Sequence, residues 1–375
     1  MNKKKILTII LIILFIGFVA ERINTNKSDV YEEQNKISIK KNKNMLSMNL
    51  EQTAGAGDYK TVTQSSWSTE GYEFNTELSR CEKGSELSWD DTKKAVIMQG
   101  NVSDKCYVYF DLIPSMTLAE YVISQYTGVQ GENGIYYHNS SLENGAGDNS
   151  YRYAGASNNV NNYICLGSDT TTCPDANLFR IIGVFGDQTK VIRAKSVGNQ
   201  KWDTNNSNTW ASSSLNTYLN GTYLTSLGTL ADKIATTTWK VEVAGARNDI
   251  YLNDVPKIAY QYEVGSSASS TTVDKKIGLM YVTDYGFAAD SSGWTKYLMD
   301  YNSNTSKNWL YLGSDEWTIL SSRGGTDLAF YVDSTGNVGR SDVTNSNAVR
   351  PSFNLLSSTA YVSGSGSMSD PVRIN

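Results

Sequence analysis

An uninterrupted apolar run opens the chain. Three lysines, Lys3–Lys5, precede residues 6–20, in which Thr8 is the single polar side chain. Basic residues ahead of an apolar run hold the N-terminus in the cytoplasm and send the following chain outward. A helix over this run would span about 23 Å, less than the roughly 30 Å hydrocarbon core of a bilayer. We therefore predict a signal-anchor or transmembrane segment over residues 1–22, or alternatively a cleaved signal peptide.

The hydrophobic pattern then changes twice. Residues 23–56 are rich in Asn, Lys and Glu and show no sustained hydrophobic period, which predicts a polar stalk. Over residues 57–113, short β-branched or aromatic runs alternate with polar turns, as they do in a small β-sandwich. These runs are YKTVTQ, YEFNTEL, SELSW, AVIMQG and KCYVYFDL.

The rest of the chain mixes helical and strand periods. Residues 114–150 begin with an amphipathic helix, roughly over 116–126, and continue as a loop rich in Gly, Asn and Tyr. Residues 151–375 contain a β-hairpin (FRIIGVF and KVIRAK), a short helix over 212–220 that ends at Gly221, a buried strand (IGLMYV) and a closing antiparallel sheet. The predicted fold class is α+β and β-rich: a membrane helix, a small β-sandwich-like domain and a mixed main ectodomain.

Charge is divided unevenly along the chain. Residues 1–56 carry 9 Lys and Arg against 5 Asp and Glu, a net charge of +4. The remainder holds 24 of the 33 basic and 33 of the 38 acidic residues, a net charge of −9. Such a surface repels phosphate backbones, and no basic stripe is present in the sequence. We therefore expect no nucleic-acid partner.

Four cysteines fall into two local pairs. Cys81 and Cys106 lie in the predicted β-domain, and Cys165 and Cys173 lie near the start of the main ectodomain. Both pairs would close short loops, and an exported chain meets an oxidising compartment in which disulfides form. A four-cysteine zinc site needs closely spaced CxxC pairs, which neither spacing supplies. We predict the disulfides Cys81–Cys106 and Cys165–Cys173, with no metal site and no cofactor.

The sequence offers few candidates for catalysis. His138 is the only histidine, and it follows Tyr136 and Tyr137 without a nearby acidic or cysteine partner, which favours a surface or packing role. The segment DSTGN at residues 333–337 lacks the alternating acidic series of a calcium loop and is typical of a hairpin turn. No catalytic residue is predicted.

The second half of the chain carries five distinctive segments. They are LFRIIG (178–183), WASSSLNTYLNG (210–221), KIGLMY (276–281), EWTI with FYVDSTGNV (316–338) and VRPSFNL (349–355). In this order they resemble an uncharacterised domain family that is common in surface proteins of low-GC Gram-positive bacteria. The resemblance covers residues 146–375 and implies no established activity.

A second resemblance is more distant. A late tryptophan, a hairpin turned on glycine and a terminal VRP strand at residues 349–351 are similar to the C-type-lectin-like fold, which formylglycine-generating enzymes share. The Glu-Pro-Asn and Trp-Asn-Asp signatures of calcium-dependent sugar binding are absent from this sequence, as is the closely spaced reactive cysteine pair of the formylglycine enzymes. The resemblance therefore implies a fold and neither activity.

One stretch combines aromatic and charged side chains in a way that suits ligand binding. Aromatic rings beside Arg and Asp can stack on a ligand and donate or accept oriented hydrogen bonds. The alternative is that Trp309 and Trp317 fill the core while the arginines pair with the aspartates. The candidate ligand-binding residues are Trp309, Tyr311, Arg323, Asp327, Arg340 and Asp342.

Together these features predict a single-pass membrane protein, or a secreted one if the signal is cleaved, with an extracellular ectodomain. We expect this ectodomain to bind a glycan or protein ligand in adhesion or recognition. An exported cell-wall or glycan hydrolase is the first alternative, and it requires two carboxylates about 5–10 Å apart in a cleft. A structural envelope spacer without a ligand is the second alternative.

Overall fold

A computed structural model describes most of the chain beyond the stalk. The described residues are 46–62, 71–100, 103–113, 116–168, 170–243 and 253–374. They belong to two compact units, residues 1–115 and 116–375. The predicted membrane segment over 1–22 lies outside the described residues. Within the described ranges, no helix is long and apolar enough to cross a bilayer.

The N-terminal unit is built from strands. They are β1 (Leu46–Glu51), β2 (Tyr59–Val62), β3 (Tyr72–Phe74), β4 (Arg80–Cys81), β5 (Glu86–Asp90), β6 (Ala95–Gln99) and β7 (Cys106–Leu112). Strand β7 is central, because it pairs with β1 in parallel and with β3 and β4 antiparallel, while β2 extends the sheet beyond β1. The hairpin β5–β6 forms a second layer, and its Val96 packs with Val108 and Phe110 of β7 in one apolar cluster.

Strand β1 lies inside the segment for which the sequence predicts a stalk, residues 23–56. The alternation of Met48 and Leu50 with Asn49 and Glu51 is too short to register as a strand period by itself. It becomes a strand because β7 supplies a parallel partner for its backbone. The folded part of this unit therefore begins before residue 57.

The C-terminal unit contains two larger sheets and one small one. The eight-stranded sheet runs in the order β20-β12-β11-β10-β22-β21, and β9 joins it through β11 and carries β8. A five-stranded sheet has the order β13-β19-β16-β17-β18, and β14 pairs with β15. The strands of the first sheet are β8 (Ile135–Tyr137), β9 (Tyr151–Tyr153), β10 (Tyr163–Cys165), β11 (Leu178–Phe185), β12 (Gln188–Arg193), β20 (Ser352–Leu355), β21 (Tyr361–Ser363) and β22 (Val372–Ile374). The others are β13 (Asn199–Lys201), β14 (Thr237–Lys240), β15 (Thr272–Lys275), β16 (Glu316–Ser321), β17 (Leu328–Val332), β18 (Val338–Asp342) and β19 (Ser346–Ala348).

The helices of this unit are short. They are α1 (Leu118–Ser124), α2 (Ser214–Tyr218), α3 (Leu224–Ser226), α4 (Pro256–Glu263) and α5 (Val282–Phe287), with a longer 3₁₀ segment over Leu298–Lys307. Thr117 and Glu120 form a reciprocal capping box at the start of α1, which fixes where this helix begins. The fold is therefore mixed α+β and rich in strands, with a small helical content.

Two predicted elements differ in the structure. Gly221 does not end the helix that begins after Ser213; a π-turn over Leu219–Tyr223 carries the chain into α3, because Leu219 and Tyr223 are both buried in the core. The predicted strand IGLMYV is an extended segment that touches β20 through a single bridge at Gly278 and becomes helical at Val282. A side chain at Gly278 would overlap the ring of Trp239, so this segment has no room for a larger residue at position 278.

Each unit contains one disulfide, in the pairs that the sequence predicts. Cys81 of β4 lies opposite Cys106 of β7 in the strand register and is bonded to it. Cys165, at the end of β10, is bonded to Cys173 across a sequence separation of 8 residues. The second disulfide closes a loop that borders the groove described below.

Candidate functional site

Tryptophan in the predicted ligand-binding cluster belongs to the core. Trp309 is 3% exposed, and its Nε1 donates to the carbonyl oxygen of Tyr153 at 2.8 Å. The guanidinium of Arg180 lies 4.7 Å from its ring centroid. Trp317 is fully buried, and its Nε1 donates to the Gln200 carbonyl at 2.9 Å. Neither ring is available for stacking on a ligand.

Tyr311 and the two aspartates of the cluster lie at opposite ends of the hairpin β17–β18, and Arg340 pairs with Phe330 in its middle. Tyr311 is tied to the hairpin turn, where its Oη donates to the Ser334 carbonyl at 2.6 Å. Asp327 and Asp342 flank the other end of the hairpin, next to the Leu328–Asp342 pairing. The length of β17 separates these ends by about 13 Å. The six predicted residues therefore do not form one surface.

The charged members of the cluster also have partners. Arg323 Nε lies 2.9 Å from Glu242 Oε1. Asp342 accepts hydrogen bonds from the backbone nitrogen of Thr344 at 2.8 Å and from its hydroxyl at 2.6 Å, and these bonds lower the pKa of Asp342. The side chain of Arg340 packs against Gly324. These contacts shape the loops around the hairpin.

His138 is a packing residue. It is completely buried, and its Nδ1 accepts a hydrogen bond from the backbone nitrogen of Ala146 at 3.0 Å. Its ring lies against the rings of Phe287 and Trp294, at centroid distances of 4.9 and 5.1 Å. Burial lowers the pKa of His138 well below its ordinary value, so the imidazole is neutral.

A network of buried charges joins the eight-stranded sheet to α5. Lys190 Nζ of β12 lies 2.5 Å from Asp284 Oδ2 of α5. Arg152 of β9 lies 2.6 Å from Asp148 and 3.9 Å from Asp284. The side chains of Lys190, Arg152 and Asp284 are at most 5% exposed. Because each charge is matched inside the protein, the network is suited to holding elements together and not to meeting a substrate.

Glu263 extends this closed region. It is completely buried in α4, and its carboxyl accepts hydrogen bonds from the backbone nitrogens of Val282 at 2.8 Å and Thr283 at 3.1 Å, and from the Thr283 hydroxyl. These nitrogens are the first two of α5, so Glu263 caps that helix from a neighbouring one. Burial raises the pKa of Glu263 to about 8. A carboxyl group with a raised pKa often marks an active site, but this carboxyl group is completely buried and already holds three hydrogen bonds.

A second buried pair ties the two large sheets. Arg350 donates through Nε and Nη2 to the two carboxyl oxygens of Glu316, each at 2.7 Å, and through Nη2 to the Leu310 carbonyl at 2.5 Å. Both side chains are at most 3% exposed. Arg350 immediately precedes Pro351 and β20, whereas Glu316 begins β16, so the pair fixes where the sheets meet.

The C-terminal unit has a surface groove of about 530 Å³. We call it the Cys165 groove. It lies between the disulfide loop after β10, the 3₁₀ turn at Gly228–Lys233 and the terminal hairpin β21–β22. Its lining residues are Cys165, Gly167, Ser168, Thr170, Thr171, Thr229, Leu230, Lys233, Val362, Ser363, Ser369, Asp370, Pro371, Arg373 and Ile374.

The disulfide loop forms a fixed wall of this groove. Its ends are held together by the Cys165–Cys173 bond. Arg373 of β22 donates to the carbonyl of Ser168 at 2.8 Å and to the carbonyls of Thr170 and Thr171 at 2.9 and 3.1 Å. A loop fixed by a covalent bond and a three-carbonyl clamp loses little further entropy when a ligand binds.

The groove offers polar groups over an aliphatic floor. Leu230, Val362 and Ile374 contribute apolar surface, and six Ser and Thr residues contribute hydroxyls. Lys233 supplies a cation whose Nζ contacts no partner in the part of the chain that the structure describes. Asp370 Oδ2 accepts a hydrogen bond from the Ser365 backbone nitrogen at 2.9 Å. Among the described lining residues, Asp370 is the one carboxylate.

Sequence reasoning missed this groove for a physical reason. Its residues come from three segments separated by many positions, and most are Ser or Thr, which occur throughout the chain. The one local signal was the Cys165–Cys173 spacing. No group of three or more His, Cys, Asp or Glu side chains among the described residues is arranged to hold a metal ion.

Comparison with known families gives one match. Residues 186–357 match a family described as a domain of unknown function, DUF6273. This domain runs from the start of β12 to just beyond β20 and includes Thr229, Leu230 and Lys233 of the groove, while the disulfide loop and the β21–β22 hairpin flank it. Neither the curated proteins nor the solved structures give a significant match to the chain.

Proposed function

We propose that this protein is anchored in the cell membrane and displays an extracellular recognition module, which binds a glycan or protein ligand in the Cys165 groove. The observation that carries the proposal is the groove itself. Its volume of about 530 Å³ lies within the roughly 300–1,000 Å³ of small-ligand sites. Its hydroxyls, aliphatic floor and Lys233 ammonium suit a ligand that is polar, uncharged or weakly anionic.

Membrane anchoring and export rest on the sequence. Lys3–Lys5 ahead of the apolar run over 6–20 favour a cytoplasmic N-terminus and an exported remainder. Two disulfides, one in each unit, are consistent with an oxidising compartment. The segments over residues 178–355, which resemble a domain family of surface proteins in low-GC Gram-positive bacteria, are in keeping with this proposal, and we propose a more distant C-type-lectin-like relationship.

The test is retention of the purified full chain on cell-wall fragments and on an array of oligosaccharides and peptides. Thr229→Arg places a long side chain in the groove, and we expect it to weaken retention at least tenfold. Thr222→Arg makes the same change at an exposed position outside the groove and is the matched control. Equal retention of both variants, with unchanged thermal unfolding, would show that the ligand binds elsewhere.

A further inference from the structure

The N-terminal unit presents a sheet face that differs from its core face. Along β7, Val108 and Phe110 point into the apolar cluster, so Tyr107 and Tyr109 lie on the opposite side. The strand register places Arg80 opposite Tyr107, and the ring of Tyr59 lies 5.0 Å from that of Tyr109. We call these four residues the tyrosine face. Arg80 is exposed, and the three tyrosines are partly exposed.

Arg80 is the distinctive member of the tyrosine face. Its guanidinium lies 6.0 Å from the ring centroid of Tyr107 and 5.9 Å from that of Tyr109. One of its five N–H groups, on Nη1, donates to the Leu78 carbonyl at 3.1 Å. Arg80 is exposed and forms no ion pair with any described residue. The Nε–Nη2 edge of the guanidinium is therefore available for two parallel hydrogen bonds.

The acidic groups near this face are already engaged. Asp111 accepts hydrogen bonds from the Tyr59 hydroxyl and, at 2.8 and 2.9 Å, from the amide of Asn75. Glu51 accepts them from the backbone nitrogens of Gly57 at 2.7 Å and Leu112 at 3.1 Å. Glu82 accepts a hydrogen bond from the Tyr107 hydroxyl at 3.1 Å and lies 3.6 Å from Lys105 Nζ. None of these three carboxylates forms an ion pair with Arg80 among the described residues. The hydroxyl of Tyr109, next to Arg80, likewise has no hydrogen-bond partner in the described ranges.

We propose that the tyrosine face binds a carboxylated polysaccharide. The free edge of Arg80 accommodates one sugar carboxylate through two hydrogen bonds, a geometry that lysine cannot supply. The Tyr109 hydroxyl donates to or accepts from a neighbouring sugar hydroxyl, and the tyrosine rings pack against the C–H faces of the sugar rings. The chain carries a net charge of −5, which opposes general attraction to polyanions. Binding therefore depends on local cations: Arg80, and Lys105, whose Nζ lies 5.0 Å from the Tyr107 ring centroid.

Binding of the full chain, in detergent, to immobilised polygalacturonate tests the proposal. We expect saturable binding that Arg80→Gln weakens roughly tenfold or more, because a hydrogen-bonded charge pair contributes about 1.5–3 kcal/mol. Lys93→Gln is the matched control, since it makes the same charge change in the same unit but removes an exposed partner of Asp90 on the other layer. Its affinity should stay within about twofold of the unmodified chain.

Further variants and polymers separate the outcomes. Arg80→Lys keeps the charge and should still bind polygalacturonate several-fold more weakly. If Arg80→Gln does not fold, Tyr109→Phe, which removes one hydroxyl from the face, provides the test. Thr229→Arg should leave this binding intact, which separates it from the Cys165 groove. Equal affinity for polyphosphate or polyglutamate would overturn the assignment to a carboxylated sugar. Absence of polygalacturonate binding, or an equal loss in Lys93→Gln, would overturn the site.

Discussion

At the scale of single residues, the structure assigns its strongest electrostatic contacts to stability. Arg350 and Glu316 form a two-point ion pair that is almost entirely removed from water. Removing one partner of such a pair leaves the other charge buried and unpaired. This costs more than replacing both partners by apolar side chains. The pair Lys195–Asp175 has a similar distance, 2.5 Å, but its side chains are 62% and 66% exposed. Water and salt screen this second pair.

These two pairs give the first prediction. Arg350→Met should lower the free energy of unfolding by about 3–5 kcal/mol, because Glu316 stays buried without its partner. Lys195→Met, at the exposed pair, should lower it by less than about 1 kcal/mol. Urea unfolding followed by tryptophan fluorescence measures both changes. Similar small losses in the two variants would mean that the buried pair is not intact in solution.

The second prediction concerns pH. The pKa of Glu263 is raised to about 8 by burial, so the folded protein holds this proton more tightly than the unfolded chain does. The stabilisation is complete below about pH 4.5 and is lost as the pH rises through 8. His138 acts in the opposite sense, because its lowered pKa favours folding as the pH rises toward 6.5. The two effects oppose each other below pH 6.5.

Stability should therefore fall between about pH 6.5 and 8. In this interval Glu263, alone of these two groups, is protonated in the folded protein and ionised in the unfolded chain. Thermal unfolding at a series of pH values measures this loss. Glu263→Gln cannot titrate and should show a smaller decline over the same interval, although it is less stable overall. A decline of the same size in that variant would assign the pH dependence to other groups.

At the scale of secondary-structure elements, the local sequence pattern predicted some helices and strands well and others poorly. The hairpin β11–β12 was predictable from the sequence because two β-branched runs flank Gly186-Asp187. Helix α1 was predictable from its one apolar face, whereas its capping box became visible only in the structure. Strand β1 and the π-turn after α2 were not predictable in this way. Strand β1 depends on its parallel partner β7, and the π-turn depends on the burial of its side chains in a core built from distant parts of the chain. Local sequence carries no signal for either.

A pair of glycines tests how tightly the elements pack. A Cβ added at Gly183 in β11 would overlap the Tyr151 carbonyl of β9, so Gly183→Ala should lower the free energy of unfolding by about 1–3 kcal/mol or more. Gly221 has open space around it in the helical segment, and Gly221→Ala should raise the free energy of unfolding by about 0.4–1 kcal/mol. Chemical unfolding of both variants checks this opposite pair of signs. A loss at Gly221 equal to that at Gly183 would contradict the packing described here.

At the scale of the whole molecule, the two units differ in what the sequence could reveal. Their disulfides were predictable from the grouping of the cysteines into two local pairs, together with the predicted export. The candidate ligand surfaces were not, because the Cys165 groove gathers three distant segments and the tyrosine face depends on strand register. The aromatic cluster that the sequence favoured contains Trp309, whose ring the core requires. Composition indicates which side chains can bind a ligand, and only packing decides which remain free.

Topology is a prediction at this scale. Protease added to intact cells should remove the chain beyond the stalk, because Lys3–Lys5 favour a cytoplasmic N-terminus and an exported remainder. Immunoblotting with antibodies against the C-terminal unit follows the loss. A cytoplasmic protein in the same cells should stay intact as the control for lysis. Full protection of the chain, with cleavage only after lysis, would contradict export.

The central claim is that the Cys165 groove is the ligand site. Its most direct test compares hydrogen–deuterium exchange of the free protein with that of the protein bound to the ligand that it retains from cell-wall fragments. Bound ligand should slow exchange of backbone amides in two lining segments, 165–173 and 229–233. Amides in residues 323–342, around the hairpin β17–β18, should exchange at unchanged rates. Slowed exchange at the hairpin, with none along the groove, would contradict the account.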